Sequence, residues 1–391
     1  MDFSLIPSPC YVLDESLLEA NMESIRKVGS ESDVEIILAL KGFAMWGVFP
    51  LMKPYVKGVS ASSIHEARLA REEMGAPVHT YSPVYTDGDF ENILQYSSHV
   101  TFNSLAQYER FRKRVHQFKD ATIQRCSNSM ESKNYISMGL RVNPEFSAVG
   151  TDLYNPCSPG SRLGLTAEQI GEALPEDIEG LHVHALCESS AEASINLIEM
   201  TEMKFGRFFP QINWLNLGGG HLMTRKDYDT ASLIVALKTF RAKFPHLRVI
   251  LEPGAAFAWE AGVLVTTIED IVENAGIRTA ILDVSFTAHM PDCLEMPYKP
   301  RIRGALDVSD SKIGWRLGGN SCLAGDYMGN WLFDEEPYIG KRIVFEDMMH
   351  YTMVKTTTFN GVPHPSIGTW SNRGFLLLKK FAYEDYKNKL S

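Results

Sequence analysis

Eight short strand-like runs between residues 14 and 262 alternate with segments of helical periodicity. Each run has the length of a buried strand. Several helical segments begin with an N-cap signature, in which Ser63, Ser104 or Thr166 is followed three residues later by Glu or Gln. This alternation predicts an α/β protein built on parallel strands. The predicted strands are 36–40, 57–60, 78–81, 99–102, 138–142, 181–185, 213–217 and 248–252.

Eight consecutive strand–helix units predict a closed (β/α)8 barrel over residues 14–262, because such barrels usually span about 250 residues. A doubly wound open sheet is the alternative, although eight strands are many for an open sheet. The first predicted helix carries Leu18, Met22 and Ile25 on one face. Three further segments are predicted from periodicity and polarity: helices at 190–208 and 228–243, and a polar loop or insertion at 119–136.

The chain beyond residue 262 has a different texture, with β-branched runs that partly alternate and have no helical periodicity between them. We predict that residues 263–391, together with 1–13, form a second domain that is mainly β, of barrel or sandwich type. Short helices such as 375–388 are expected within it. The predicted fold class is therefore α/β, a (β/α)8 barrel followed by a C-terminal mainly β domain.

Charge and composition exclude several classes of partner. The formal net charge of −10 argues against nucleic acid. The N-terminal sequence lacks a basic segment followed by an apolar one, as a signal peptide would have, and no apolar run approaches the length of a membrane span. The cysteines lack C-x-x-C spacing, which disfavours a zinc site and a disulfide framework, so we expect a reducing cytoplasm. They are Cys10, Cys126, Cys157, Cys187, Cys293 and Cys322.

Reactive side chains in a (β/α)8 barrel lie at the carboxyl ends of the strands. Polar or ionisable residues end or follow every predicted strand of this sequence, which would be unusual if these ends were only structural. We therefore expect an active site there. In strand order the residues are Lys41; Ser60, Ser62 and Ser63; Tyr81; Asn103; Arg141 and Asn143; His182 and His184; Gly218, Gly219, Gly220 and His221; and Glu252.

Three of these features have both a structural and a functional interpretation. The glycine triplet is consistent with a tight turn, or with a loop whose backbone amides approach a phosphate. His182 and His184 fall on one side of a strand. They could be core residues or metal ligands, or one imidazole could lie against an aromatic cofactor. Glu252 is suited to a salt bridge or to holding a proton on a pyridine nitrogen.

Lys41 distinguishes among these alternatives, because it directly follows the apolar run IILAL. An unpaired ammonium is costly to bury, so we expect desolvation to lower the pKa of Lys41 and to leave a usable amine nucleophile. A Schiff-base lysine, a glycine-rich phosphate loop, a stacking histidine and a carboxylate at a pyridine nitrogen together indicate pyridoxal 5′-phosphate (PLP) as the cofactor.

Several stretches match a known family, among them ILALKGFAMW, WLNLGGGHLMT, ILEPGAAFAWE, FTAHMPDCLEMPYKP, LGGNSCLAGDYMG and FEDMMHYTMVKTTTFNGV. With these stretches the chain resembles the fold-type III PLP enzymes, which include alanine racemase and the decarboxylases of ornithine and diaminopimelate. Within them it is most similar to the carboxynorspermidine (carboxyspermidine) decarboxylases. The resemblance covers essentially the whole chain.

The resemblance implies roles for individual residues. Cys322 is similar to a cysteine that is donated across a dimer interface and protonates the product carbon. Asp326 is similar to an acidic residue near that interface and the substrate. The cofactor-binding residues that the resemblance implies are Lys41 as the Schiff-base lysine, His184 on the ring, Gly218, Gly219, Gly220 and Tyr351 at the phosphate, and Glu252 at the pyridine nitrogen.

Two departures concern the phosphate. The ornithine and diaminopimelate decarboxylases usually have arginine after the EPG motif, where this chain has Ala255. They also have a small hydroxyl residue after the stacking histidine, where this chain has Leu186 and Cys187. The resemblance therefore implies that some phosphate contacts differ, through His221 or other backbone amides.

A third departure concerns the substrate. Leu323 follows Cys322 at a position where those decarboxylases commonly have an acidic residue, which disfavours an ornithine-like substrate. Asp292, together with Glu252 and Asp326, is expected to bind a cationic polyamine instead, and Glu188 is a weaker candidate.

The resemblance implies a PLP-dependent carboxy-lyase of polyamine biosynthesis. It would convert carboxynorspermidine and carboxyspermidine to norspermidine and spermidine with loss of CO2. A homodimer with shared active sites is expected, with the mainly β domain contributing to the substrate site and the interface. The alternatives are another fold-type III decarboxylase, of diaminopimelate or ornithine type, a metal-dependent hydrolase using His182 and His184, and a non-catalytic PLP carrier.

Overall fold

A computed structural model of the chain describes residues 1–126, 135–296 and 298–391. The chain divides into two compact units. One is formed by Met22–Phe257, and the other by Met1–Asn21 together with Ala258–Ser391. None of the described helices is both long enough and apolar enough to cross a membrane.

The unit Met22–Phe257 contains a closed barrel of eight parallel strands, as the sequence predicts. Strands that are consecutive in the barrel pair with each other, and the first closes the ring on the eighth by pairing Glu35 with Ile250. Each observed strand overlaps its predicted position. The barrel strands are Glu35–Ala39, Gly58–Ala61, Val78–Tyr81, His99–Phe102, Ser137–Val142, Gly180–Val183, Trp214–Asn216 and Arg248–Leu251.

The indole of Trp214 fills the barrel interior near the amino ends of the strands. A Cβ atom at Gly139 would lie 2.3 Å from this indole and one at Gly180 would lie 2.0 Å from it, so both positions require glycine. The rings of His79 and His99 stack beside it with their centroids 3.7 Å apart. Because side chains fill this end, the opposite, carboxyl end of the strands remains for chemistry.

The helices follow their predicted starts, and the Thr166 capping box is complete in both directions. The prediction of a polar loop that begins at residue 119 is wrong for residues 119–126, because they continue the helix Leu105–Cys126. Polar residues such as Asp120 extend the solvent-facing side of this surface helix, and 127–134 lie outside the described residues. The helices are Glu15–Ser32, Phe49–Met52, Ile64–Leu69, Phe90–Tyr96, Leu105–Cys126, Ala167–Ile170, Ala191–Phe205, Thr230–Lys243, Ala255–Ala258, Phe286–His289, Pro291–Glu295 and Tyr383–Leu390.

The second unit is mainly β, as predicted for the C-terminal region, and its sheet is mainly antiparallel. The predicted helix 375–388 is wrong in its first part, because Gly374–Lys379 forms a strand antiparallel to Ser366–Ser371. Strand pairing here overrides the helix propensity of consecutive leucines. The strands are Cys10–Asp14, Gly262–Asn274, Ile277–Leu282, Ala305–Asp307, Trp315–Gly318, Tyr327–Phe333, Arg342–Glu346, Ser366–Ser371 and Gly374–Lys379.

Candidate active site

Three predicted site residues meet at the carboxyl end of the barrel. Lys41 lies just beyond the first strand, His184 just beyond the sixth and Gly219 beyond the seventh. The Nζ atom of Lys41 is 2.8 Å from Nε2 of His184. The backbone N–H of Gly219 donates a hydrogen bond of 3.0 Å to Nδ1 of the same ring. Both ring nitrogens of His184 are therefore engaged in hydrogen bonds.

The surroundings disfavour positive charge on Lys41 and His184. Burial and the nearby Arg141 guanidinium lower the pKa of Lys41. Burial, with Lys41 and Arg141 close by, holds the pKa of His184 well below its usual range. The lowered pKa of Lys41 that the sequence predicted is confirmed, and its cause is the desolvation expected from the apolar strand.

Glu252 directly follows the eighth strand and is buried. The side-chain amide of Asn216 donates a 2.7 Å hydrogen bond to its Oε1 atom. The Nε2 atom of His182 lies 3.4 Å from its Oε2 atom. Burial alone would raise the pKa of Glu252, but these neighbours outweigh it and lower the pKa to about 2. Glu252 is thus an anion at neutral pH.

His182 lies within the barrel beside Glu252 and does not bind Lys41. Burial lowers the pKa of His182, and the carboxylate of Glu252 opposes this effect. Neither ring nitrogen of His182 makes a hydrogen bond to the described residues. Among those residues, no group of three or more His, Cys, Asp or Glu side chains is arranged to hold a metal ion. The metal-hydrolase interpretation of the two histidines thus has no support in this geometry.

Arg141, Tyr81 and Asn103 form a second group at the same end of the barrel. The guanidinium of Arg141 lies over the ring of Tyr81, 4.5 Å from its centroid, and donates to the carbonyl oxygen of His184 at 3.1 Å. The hydroxyl of Tyr81 donates to Oδ1 of Asn103 at 2.8 Å. This group braces the backbone that carries His184.

Two of the three backbone amides of the glycine triplet donate hydrogen bonds to side chains of the protein. The amide of Gly218 donates to Oδ1 of Asn216 at 2.8 Å, and the amide of Gly219 is bonded to His184. Within the described chain, the Gly220 amide is the member of the triplet without a protein acceptor. The predicted phosphate contact therefore concentrates on Gly220, and it stays a prediction.

His221 is buried beside the triplet in a network of its own. Its Nδ1 atom is 2.9 Å from Oγ of Ser194, which is in turn 2.9 Å from the hydroxyl of Tyr228. Its Nε2 atom lies 3.4 Å from the carbonyl oxygen of Leu217. Both ring nitrogens thus face protein groups, and His221 anchors the turn rather than presenting its ring to a phosphate.

In the second unit, Cys322 is solvent-exposed, and its backbone N–H donates to Oδ1 of Asn360 at 2.8 Å. Asp326 is buried. Its Oδ2 atom accepts from the backbone and the hydroxyl of Ser321, and its Oδ1 atom accepts from the backbone of Thr287. Asp326 therefore ties together the loop that carries Cys322.

Asp292 belongs to a separate network. Its Oδ2 atom accepts hydrogen bonds of 3.0 Å from the hydroxyls of Tyr298 and Thr352. Its Oδ1 atom is buried and has no hydrogen-bond partner among the described residues. Tyr351 lies in the turn after the strand Arg342–Glu346 with a positive φ of 46°.

Sequence analysis missed two features of the barrel site. Asn216 bridges the Gly218 amide and the carboxylate of Glu252, whereas the sequence pattern indicates only that it belongs to a strand. Its signal was its position two residues before the glycine triplet, at the end of a buried strand. The second feature is the bond from Gly219 to His184, which no spacing in the sequence reveals.

Comparison with known proteins identifies the family of the chain. A sequence model described as pyridoxal-dependent decarboxylase, C-terminal sheet domain, matches residues 10–349. A carboxyaminopropylagmatine decarboxylase from Synechocystis sp. is 49% identical over 99% of this chain and 96% of its own length. A carboxynorspermidine/carboxyspermidine decarboxylase from Campylobacter jejuni is 40% identical over 99% of both chains.

Solved structures give the same result. The crystal structure of carboxynorspermidine decarboxylase from Campylobacter jejuni, complexed with norspermidine, has a TM-score of 0.85 at 38% identity and covers 98% of this chain and 100% of that chain. Diaminopimelate decarboxylase from Helicobacter pylori, at 16% identity and a TM-score of 0.76, shares the fold. The chain belongs to the pyridoxal-dependent decarboxylases. The decarboxylase class and the PLP cofactor predicted from the sequence are thereby confirmed.

The barrel residues fit PLP. Glu252 is a buried anion whose neighbours are an amide and an imidazole, and the described part of the chain supplies no lysine or arginine within ion-pair range of it. Such a carboxylate suits a protonated pyridine nitrogen. Lys41 supplies an amine that burial and Arg141 shift away from its charged form, as a Schiff-base lysine requires.

Proposed function

We propose that this chain decarboxylates carboxynorspermidine and carboxyspermidine with PLP, giving norspermidine and spermidine in polyamine biosynthesis. The observation that carries the proposal is the pairing of Lys41 with His184 at the barrel mouth, close to the buried carboxylate of Glu252. The relatives of 40% and 31% identity that span almost the whole chain support the substrate class, because their names specify it.

Each barrel residue has a defined task in this proposal. PLP, when bound, supplies an electron sink for the electrons released as CO2 leaves. Lys41 holds the cofactor through its amine, and His184 packs against the ring. Glu252 keeps a proton at the pyridine nitrogen, which its low pKa permits because it stays ionised. The amide of Gly220 contributes to phosphate binding, and Tyr351 is proposed as a second phosphate ligand.

The proton that replaces CO2 is assigned to Cys322, acting as a general acid on the product carbon. Its exposure and its position on a loop held by Asp326 and Asn360 are consistent with a thiol that serves the active site of a partner subunit. A homodimer with shared active sites and a cytoplasmic location are parts of this proposal. They rest on the family resemblance.

Asp292 is the acidic group best suited to the cationic polyamine chain. A buried carboxylate oxygen without a partner is costly, and the Oδ1 atom of Asp292 is in that state. An ammonium group would satisfy it with a charge-assisted hydrogen bond. Both oxygens of Asp326 already accept hydrogen bonds, from Ser321 and Thr287, so direct substrate binding by Asp326 has less support than a role in its loop.

A second candidate substrate is carboxyaminopropylagmatine, because the relative of that name is 49% identical over 99% of this chain. This compound ends in a guanidinium group, whereas the carboxylated triamines end in a primary ammonium. A carboxylate can bind a guanidinium through two parallel hydrogen bonds but an ammonium only as a point charge. The two substrates therefore differ mainly at the end remote from the reaction.

CO2 release should be measured for the full chain with PLP and each of five substrates: carboxynorspermidine, carboxyspermidine, carboxyaminopropylagmatine, diaminopimelate and ornithine. We expect the highest kcat/KM with a carboxylated triamine and little turnover of the two amino acids. Preference for carboxyaminopropylagmatine would replace the first substrate by the second. Preference for diaminopimelate or ornithine would overturn the polyamine assignment while leaving the decarboxylase class intact.

A further inference from the structure

We propose that the backbone amide of Gly219 fixes the tautomer of His184, and that His184 in turn holds Lys41 as a neutral amine. The purpose of this arrangement rests on the proposed role of Lys41 as the residue that captures the cofactor aldehyde. The protonation states themselves follow from hydrogen-bond geometry in the chain. Gly219 is thereby a positioning residue, although the sequence suggested only phosphate binding.

The tautomer of His184 is set by a neighbouring group that can only donate a hydrogen bond. A backbone N–H only donates, so the Nδ1 atom of His184, 3.0 Å from the Gly219 nitrogen, must present a lone pair. A neutral imidazole then carries its proton on Nε2. That Nε2–H points at the Nζ atom of Lys41, 2.8 Å away, which must accept. An amine accepts a hydrogen bond only when it is neutral.

The opposite assignment fails on proton count. An ammonium at Lys41 would need a lone pair on Nε2 of His184. With Nδ1 already accepting from Gly219, the ring would then carry no proton at all. Alternatively, the imidazole would have to move its proton to Nδ1 and lose the Gly219 bond. The observed pair of contacts is satisfied only by neutral Lys41 and the Nε2–H tautomer.

The charges around the pair support the same assignment. Within the described residues, Lys41 makes no ion pair with a carboxylate. The ionisable groups that act on Lys41 are Arg141, which opposes its protonation, and Glu252, Cys187 and Glu66, which favour it, while burial has the largest effect and opposes protonation. Those that act on His184 are Lys41, Arg141, His182 and His221, all of which oppose its protonation, as burial does.

Only glycine allows this contact. A Cβ atom at position 219 would lie 2.5 Å from the carbonyl oxygen of Glu252, so any side chain would push the turn away from His184. The preceding amide, of Gly218, orients Asn216, which binds Glu252. Two successive amides of one turn therefore order both ends of the site, the amine of Lys41 and the carboxylate of Glu252.

A neutral Lys41 favours the reaction of its amine with the cofactor aldehyde. A lysine with its ordinary pKa of about 10.4 has less than about 0.1% of its amine free at pH 7. Only the free amine attacks an aldehyde. Holding Lys41 neutral therefore raises the reactive fraction by up to about 10³-fold.

The tautomer can be observed directly in the full chain after removal of the cofactor. Nitrogen-15 NMR of histidine-labelled protein distinguishes the two neutral tautomers and the imidazolium by their ring shifts. The signals of His184 are identified by their loss in His184→Phe, and independently by their displacement in Lys41→Ala. We expect the neutral Nε2–H form at pH 7. The Nδ1–H tautomer, or an imidazolium, would overturn the proposal.

The titration of Lys41 gives a second test with a predicted sign. Competitive acetylation at limiting reagent, read by mass spectrometry of the Lys41 peptide, measures its midpoint in the cofactor-free chain. In His184→Phe, which keeps an aromatic ring but has no N–H, we expect the midpoint to rise by about one pH unit. His246→Phe, the same exchange at an exposed position before the amino end of the eighth strand, serves as the control and should leave it unchanged.

A fall in the midpoint for His184→Phe would show that His184 stabilises an ammonium, and no change would show that it does not act on Lys41. Either result rejects the inference. These measurements need no substrate and no bound PLP. If they succeed while borohydride fails to link PLP to Lys41, the proposed role of Lys41 is wrong and the tautomer assignment stands.

Discussion

The side-chain amide of Asn216 donates a 2.7 Å hydrogen bond to the carboxylate of Glu252, and its carbonyl oxygen accepts from the backbone of Gly218. The two contacts fix which way the amide of Asn216 faces, because a backbone N–H binds only its oxygen. The carboxylate is thus held by a residue whose orientation is set by the glycine turn.

Replacing this carboxylate by an amide tests its role. Glu252→Gln keeps the size of the side chain but removes the buried charge that would hold a proton on the pyridine nitrogen. We expect kcat to fall by roughly 10²-fold or more, because preorganised charge in a buried site has effects of that size. Steady-state decarboxylation with saturating PLP measures it.

The matched control is Asn216→Ala, which removes the donor but leaves the carboxylate. It should lower kcat less than Glu252→Gln does. Equal activity of Glu252→Gln and the wild type would contradict the role of Glu252, whatever the effect at Asn216.

Alkylation of the Cys322 thiol distinguishes a role of Asp326 in the loop from a role in substrate binding. Asp326→Asn replaces an acceptor of Ser321 and Thr287 bonds with a group that also donates, and an unsatisfied buried group costs about 1–3 kcal/mol. We expect the loop to loosen, so that kcat falls and the rate at which iodoacetamide alkylates Cys322 changes, with KM little affected.

Direct substrate binding by Asp326 predicts a different result. KM would rise, and the alkylation rate of Cys322 without substrate would equal that of the wild type. Cys322→Ala identifies the alkylated thiol. It should also slow turnover while leaving PLP bound, since the thiol is assigned only to protonation.

Asp292 is expected to bind an ammonium through its unpartnered Oδ1 atom. Asp292→Asn should raise KM for the carboxylated triamine roughly 10- to 100-fold, the range expected when a hydrogen bond to a charged group is lost. Asp270→Asn, at an exposed strand position, is the control and should leave KM unchanged. An unchanged KM for Asp292→Asn would remove Asp292 from the substrate site.

The stacked histidines in the barrel predict how stability depends on pH. Burial lowers the pKa of His99 to about 3 and holds that of His79 well below its usual range. In the unfolded chain a histidine has a pKa near 6.5. Below that value the unfolded state binds the proton and the folded state does not. The contribution of these histidines to the free energy of unfolding is therefore fully present above about pH 6.5. It declines as the pH falls toward 3, by roughly 1.4 kcal/mol per pH unit for each such residue.

Urea unfolding at a series of pH values measures this slope. His99→Asn should reduce it, because one of the two buried imidazoles is removed. His65→Asn, at an exposed position, should leave it unchanged. A slope that is identical in wild type and His99→Asn would show that the acid sensitivity arises elsewhere.

Much of the barrel was predictable because its strands are short apolar runs with polar ends. The same pattern located Lys41, His184 and Glu252, since parallel strands bring their carboxyl ends to one face. The helix at 119–126 was missed because a polar surface helix and a polar loop have similar composition. The strand Gly374–Lys379 was missed because its neighbour in the sheet, rather than its own residues, determines it.

Hydrogen-bond direction was the part of the site that the sequence could not supply. The glycine triplet indicated backbone amides near a ligand, but Gly218 and Gly219 direct theirs to Asn216 and His184. The ring of His221 lies in a buried network with Ser194, and a phosphate contact through the backbone amide of His221 stays a prediction. Such choices depend on where each amide points after folding, which spacing does not encode.

The most direct test of this account is where PLP attaches. The full chain is incubated with PLP, reduced with borohydride and digested, and the modified peptide is identified by mass spectrometry. We expect a phosphopyridoxyl group on Lys41, and loss of both this adduct and the visible absorption band in Lys41→Ala. A reduced adduct on another lysine, with Lys41→Ala retaining full activity, would contradict it.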